Sequence, residues 1–265
     1  MSKKLLFVLL LVIQGNLLKA GIVISNGLTH HYKVENNQVY KGKISLENNG
    51  REAQTVKLFL QDLKYEANGT IHYLELKPGA LRSNADWIKF STNLLTLKAG
   101  EKTDFLYEIQ VPSNTTLPGS YWSVIIVEPV KPINPSEKGV SIHSVVRYAI
   151  QIISDLRTDN AHTDLKFENV KISSEGNKRI LKLAISNTGE LFCKPLASID
   201  IYDKKNGQKL GTFTSTAMGL LPNNSKTFSI DITQAPTGLF NTIIMAMDEN
   251  ENTFALKAEL DIKND

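Results

Sequence analysis

Apolar and polar residues alternate with a period of two along almost the whole chain, and the alternating segments are bounded by Asn, Gly, Pro or Asp. That is the pattern of half-buried antiparallel strands, in which successive side chains point to opposite faces. In the first half the rhythm predicts strands over 39–46, 55–63, 71–76, 103–111, 121–127 and 140–153, with 21–24 added at the start. In the second half it predicts strands over 165–172, 179–186, 197–202, 209–214, 227–232, 241–247 and 254–262. Turn residues such as Asn48-Asn49-Gly50, Asn68-Gly69, Lys98-Ala99-Gly100, Leu117-Pro118-Gly119, Asn187-Thr188-Gly189, Asn206-Gly207 and Pro222-Asn223-Asn224 punctuate the two sets. Helical spacing is scarce throughout.

Between 154 and 164 the apolar rhythm stops, and this polar segment reads as a linker. Two sets of about seven short strands have the size and rhythm of an all-β chain with two immunoglobulin-like β-sandwich domains in tandem. The predicted domains are 21–153 and 165–265; a single large barrel is the alternative arrangement. Two domains are favoured because each half repeats one grammar. Leu46-Glu47-Asn48-Asn49-Gly50 matches Ile185-Ser186-Asn187-Thr188-Gly189, and Leu95-Thr96-Leu97-Lys98-Ala99-Gly100 matches Met218-Gly219-Leu220-Leu221-Pro222-Asn223.

The N-terminus changes the picture of where this chain works. Lys3 and Lys4 precede an unbroken apolar run over 5–13, which reads as a secretory signal peptide over 1–20 with cleavage expected after Ala20. The run is too short to span a bilayer, and no later stretch is long and apolar enough. The last five residues show no sorting-signal character, so a soluble extracytoplasmic product, periplasmic or secreted, is expected. The formal charge of +3 is carried away with Lys3, Lys4 and Lys19, leaving a near-neutral chain for which nucleic acid is a poor partner. Composition is that of a globular protein, 42% hydrophobic and 22% charged. A single cysteine, Cys193, rules out a disulfide framework, so the folds must rest on packed cores.

Trp87-Ile88-Lys89-Phe90, the stretch from Leu94 to Lys102, and Leu117-Pro118-Gly119-Ser120-Tyr121-Trp122 resemble bacterial immunoglobulin-like adaptors. The first half is similar to the WxL-interacting cell-wall proteins, which implies a domain binding peptidoglycan or a surface protein, followed by a second β-sandwich. A second resemblance, to periplasmic pilus chaperones, rests on 140–153. It implies that this strand lends alternating apolar residues to an incomplete subunit. One face would carry Ile142, Val146, Tyr148, Ile150 and Ile152, with Arg147 near the cleft where those chaperones keep a basic residue for the subunit's terminal carboxylate. The second cleft arginine of that family is absent from 21–25.

Alternation over 140–153 is equally what a strand needs to fill its own core. The Pro-rich segment 129–139 reads as a partner-contacting loop or a connector. Tyr121 and Trp122 should point opposite ways, with Trp122 in the core and Tyr121 exposed for contact. Five histidines show no metal-ligand spacing, and the pair His30-His31 reads as solvated loop residues. Neither a nucleophile elbow nor a phosphate-cradling glycine loop is present. The chain is therefore read as non-enzymatic, with no catalytic residue, metal or cofactor, and with Tyr121, Ile142, Val146, Arg147, Tyr148 and Ile150 as candidate partner-binding residues. The expected function is an adaptor recognising a surface protein or cell-wall polymer; the alternative is a periplasmic chaperone donating a strand to pilin-like subunits.

Overall fold

A computed structural model describes residues 21–130 and 146–263; residues 1–20, read from sequence as a signal peptide, lie outside them. In chain order the first domain contains β1 (Ile22–Ile24), β2 (Thr29–Val34), β3 (Val39–Asn48), β4 (Gln54–Tyr65) and β5 (Ile71–Leu74). It continues with β6 (Ile88–Lys89), β7 (Leu94–Leu97), β8 (Lys102–Gln110), β9 (Gly119–Pro129) and β10 (Tyr148–Leu156). The second contains β11 (Leu165–Glu175), β12 (Lys178–Asn187), β13 (Leu196–Tyr202), β14 (Lys209–Thr214), β15 (Ser225–Asp231), β16 (Gly238–Met247) and β17 (Thr253–Ile262).

Strands β1-β3-β8-β6 face the sheet β2-β10-β9-β4-β5, to which β7 adds by pairing β4. Alternation sends Ile44, Leu58, Leu97, Ile109, Ile125, Ile150 and Ile152 into the space between, where each is fully buried. The second domain packs β11-β12-β15 on β14-β13-β16-β17 around Leu183, Ile199, Phe228 and Ile244. This is the tandem immunoglobulin-like sandwich expected from the strand rhythm. Among the described residues no helix is long and apolar enough to cross a membrane.

The repeated grammar has a physical cause. Asn48 is buried at the end of β3, and its Nδ2 donates to the carbonyls of Leu97 and Lys98, both at 3.1 Å. Asn187 is buried at the end of β12 and donates to the carbonyl of Leu220 at 3.1 Å. Each asparagine's Oδ1 accepts the N–H of the turn glycine two residues on, Gly50 or Gly189. Each backbone carbonyl also accepts from the second matched segment, Gly100 N–H or Asn223 N–H, both at 2.8 Å. The asparagine thus buckles two distant turns in each domain, and a short amide side chain is what can reach all these groups at once.

Two local expectations are corrected. The segment read as a linker begins as strand: Ser154 and Asp155 belong to β10 and are buried. Asn84 Nδ2 donates to Ser154 Oγ, and Asp155 accepts from Ser120, so their polarity is satisfied inside. His30 and His31 lie on β2, not in a loop, paired parallel to β10. His30 Nδ1 bonds Tyr107 Oη at 2.8 Å, and His31 Nε2 bonds Asp155 Oδ2 at 2.6 Å, on opposite faces of the strand.

Candidate functional site

The sheet made by β4, β9 and β10 is buried on both faces. Its inner face fills the first core, while Leu63, Tyr65, Val124, Ile126 and Ile153 on the outer face join the apolar cluster of the second domain. Polar bonds pin this seam at two ends. At one, Ser120 N–H donates to Glu190 O at 2.8 Å, Phe192 N–H donates to Ser120 Oγ at 2.6 Å, and Ser120 Oγ donates to Asp155. Gly119 sits here at φ +106, and a Cβ would lie 2.4 Å from Glu190 O, so only glycine permits the approach. At the other, Leu221 N–H donates to Tyr65 Oη at 2.6 Å, Tyr65 N–H donates to Asn224 Oδ1 at 2.7 Å, and Thr227 Oγ1 donates to Ala67 O at 2.6 Å.

Beside the seam lies a cleft of about 680 Å³, with Val124, Ala149 and Gln151 as floor and the β4–β5 hairpin and β15 as walls. Ile71 and Tyr73 leave its rim apolar and exposed. Lys226 donates to Gly219 O at 2.7 Å and sits 4.3 Å from the Tyr65 ring centre. Burial holds its ammonium below the ordinary lysine range and pushes the Tyr65 phenol above its own.

The residues singled out from sequence do not form one exposed face. Tyr121 and Trp122 do point opposite ways, but in the reverse sense to that expected. Tyr121 is only 6% exposed, its ring centre 4.6 Å from that of Trp87 and its hydroxyl donating to Leu117 O. Trp122 faces the seam half-buried, its Nε1–H donating to Leu63 O at 2.8 Å. The reason is that the outer face of β9 meets the second domain, which an alternation pattern does not reveal. Ile150 is fully buried and Tyr148 packs against the same first core, whereas Val146 is 56% exposed. Arg147 pairs with Glu128 at 2.7 Å on the surface, so its charge is already met within the chain. Ile142 lies outside the described residues.

Sequence reading passed over a different surface. On the solvent face of β16, one of the two inner strands of its sheet, Leu239, Ile243, Met245 and Met247 form an apolar line, with Leu239 and Met247 47% and 46% exposed. Leu196 stands opposite Met247 and Ala255 opposite Met245, which widens the patch. One face of an antiparallel sheet is normally polar where it meets water, so this apolar line is a candidate contact surface. The signal was present in Leu239, Ile243, Met245 and Met247 at every second position, broken only by Asn241.

Burial raises the pKa of the Cys193 thiol, and at 1% exposure it packs as a small apolar side chain. Among the described residues no group of three or more His, Cys, Asp or Glu side chains could hold a metal ion.

Residues 137–265 match the family described as WxL Interacting Protein, host binding domain. No curated protein matches the chain. Among solved structures it is similar to a chain of a chaperone–tip adhesin complex of CFA/I fimbriae biogenesis, at 14% identity over 91% of this chain and 98% of that one, TM-score 0.49. It is also similar to the YadV chaperone, at 13% identity over 91% and 100%, TM-score 0.45. A third is the CsuC–CsuE pre-assembly complex of Csu pili from Acinetobacter baumannii, at 18% identity over 90% and 98%, TM-score 0.45. The family match falls on the second half, whereas the sequence motifs of that resemblance were read in the first. The chain is a two-domain immunoglobulin-like β protein that resembles the WxL-interacting proteins, through their host binding domain over residues 137–265, and the periplasmic pilus chaperones.

Proposed function

We propose that this protein is a non-enzymatic extracytoplasmic adaptor whose second domain binds a protein on a host surface. The observation that carries the reading is the match of residues 137–265 to a host binding domain. The apolar line on β16 lies inside those residues and supplies the contact face: flexible methionines and aliphatic side chains adapt to a partner surface and gain by leaving water. The test immobilises the chain from Gly21 onward, and a Met245→Lys, Met247→Lys variant, against solubilised host surface proteins. The reading expects a retained host protein and at least about tenfold weaker retention by the variant. Retention of nothing by the unmutated chain overturns the reading, and equal retention by both overturns this face.

A second reading, a chaperone for pilin-like subunits, has one observation in its favour. Strand β2 covers β10 only over Gln151–Leu156, so among the described residues Tyr148, Ala149 and Ile150 pair β9 alone and present an edge suited to strand addition. Recovery of an incomplete subunit from the bacterium's own envelope, and its loss in a Val146→Lys variant, supports this reading; recovery of none sinks it.

A further inference from the structure

Exposed strand edges invite pairing with another chain, and proteins blunt them by shortness, bulges or cover. Most described edges here are treated in that way. Strands β1, β5 and β6 have four residues or fewer, β11 carries a bulge between Phe167 and Asn169, and β14 is short with an irregular register at Tyr202. The edge of β15 meets the β4–β5 turn through Ala67. Strand β17 differs: its ten residues pair β16 in unbroken register, and no described strand pairs its other side.

Its sequence, Thr253-Phe254-Ala255-Leu256-Lys257-Ala258-Glu259-Leu260-Asp261-Ile262, is self-complementary when run antiparallel to itself. With Ala258 on a two-fold axis, Lys257 stands opposite Glu259 of the second copy, and Glu259 opposite its Lys257. Leu256 then meets Leu260 and Phe254 meets Ile262, apolar against apolar on the core side. Moving the axis to Lys257 or to Glu259 sets that residue against its own copy, like charge on like charge, which is destabilising. Lys257 forms no ion pair among the described residues, while Glu259 is bound by Lys204 and has a second carboxylate oxygen to offer.

From this we infer that β17 is a homodimer edge, pairing antiparallel with β17 of a second copy about Ala258 and joining two four-stranded sheets into one of eight. Such an interface is isologous, as a two-fold requires. It would carry the β16 faces of both copies on one continuous sheet and make partner binding bivalent. That consequence rests on the proposed role of the second domain; the pairing does not, and it is tested with no partner present.

A single strand pair is smaller than the roughly 1,200 Å² of a stable standard interface, so the expected dimer is reversible and concentration-dependent. Sedimentation velocity on the chain from Gly21 onward, across about a hundredfold range of concentration, should show monomer passing to dimer. Lys257→Glu and Glu259→Lys should each weaken dimerisation about tenfold. Mixing the two variants, or combining both changes in one chain, should restore it, because the charges again meet opposites across the axis. Circular dichroism confirms that each variant is folded. A chain that stays monomeric throughout overturns the inference, and so does a dimer indifferent to the charge reversals or not restored by the swap.

Discussion

Asn48 and Asn187 carry more of the fold than their size suggests, because each ties backbone groups from two turns that lie far apart in sequence. Replacing either by alanine removes several side-chain bonds to turn carbonyls at once, those to Glu52, Leu97 and Lys98 at one site and to Leu191 and Leu220 at the other. Asn48→Ala and Asn187→Ala should each cost roughly 2 kcal/mol or more in urea unfolding, and a loss near zero would refute the buckle. Ile150→Thr, which a donor-face reading would take for a surface change, should instead cost about 1–3 kcal/mol by burying an unpaired hydroxyl. Val146→Thr should be close to neutral, since Val146 is exposed. His30 offers a pH test at the same scale. Burial lowers its folded pKa below the ordinary 6.5. The unfolded chain therefore binds its proton more readily, so His30 contributes stability above pH 6.5 that is lost as pH falls through that value toward the folded pKa. A His30→Gln variant should show a shallower loss of stability between about pH 7.5 and pH 5.5 than the unmutated chain.

At the scale of elements, strands with a sustained run of apolar inward positions, such as Phe105, Tyr107 and Ile109 on β8, are the ones the alternation finds. Strand β2 escapes it because its inward side chains, His30 and Tyr32, look polar and are accommodated by bonds to Tyr107 Oη. The end of β10 escapes it for the same reason, its Ser154 and Asp155 being satisfied by residues more than thirty positions away. The β4–β5 hairpin belongs by sequence to the first domain and by contact to both. Tyr65→Phe removes the acceptor of Leu221 N–H and the donor to Gly219 O. It should lower stability by about 1–2 kcal/mol. Amide exchange at Leu221 should rise with it; unchanged exchange there would show that the hydroxyl holds nothing.

At the scale of the molecule, a single apolar cluster runs from Leu63, Val124 and Ile153 into the core of the second domain. The first core is a separate cluster on the other face of the same sheet, so losing the β4-β9-β10 sheet exposes both and should couple their unfolding. Trp87 and Trp122 both lie in the first domain while the strands of both contribute to far-ultraviolet circular dichroism, so the two probes should give coincident urea transitions. Two separated midpoints would show domains that fold independently. The period-two pattern and its turns determined by themselves that this chain is all-β, that its strands fall into two sets, and that Asn48-Gly50 and Asn187-Gly189 are equivalent, because strand formation and turn chemistry are local. Only the tertiary structure decided which face of a strand meets solvent. Tyr121 went inside, Trp122 went to the seam, Ile150 went to the core, and the line on β16 stayed outside, because alternation says that two faces differ but not which neighbour, water or another sheet, each will meet.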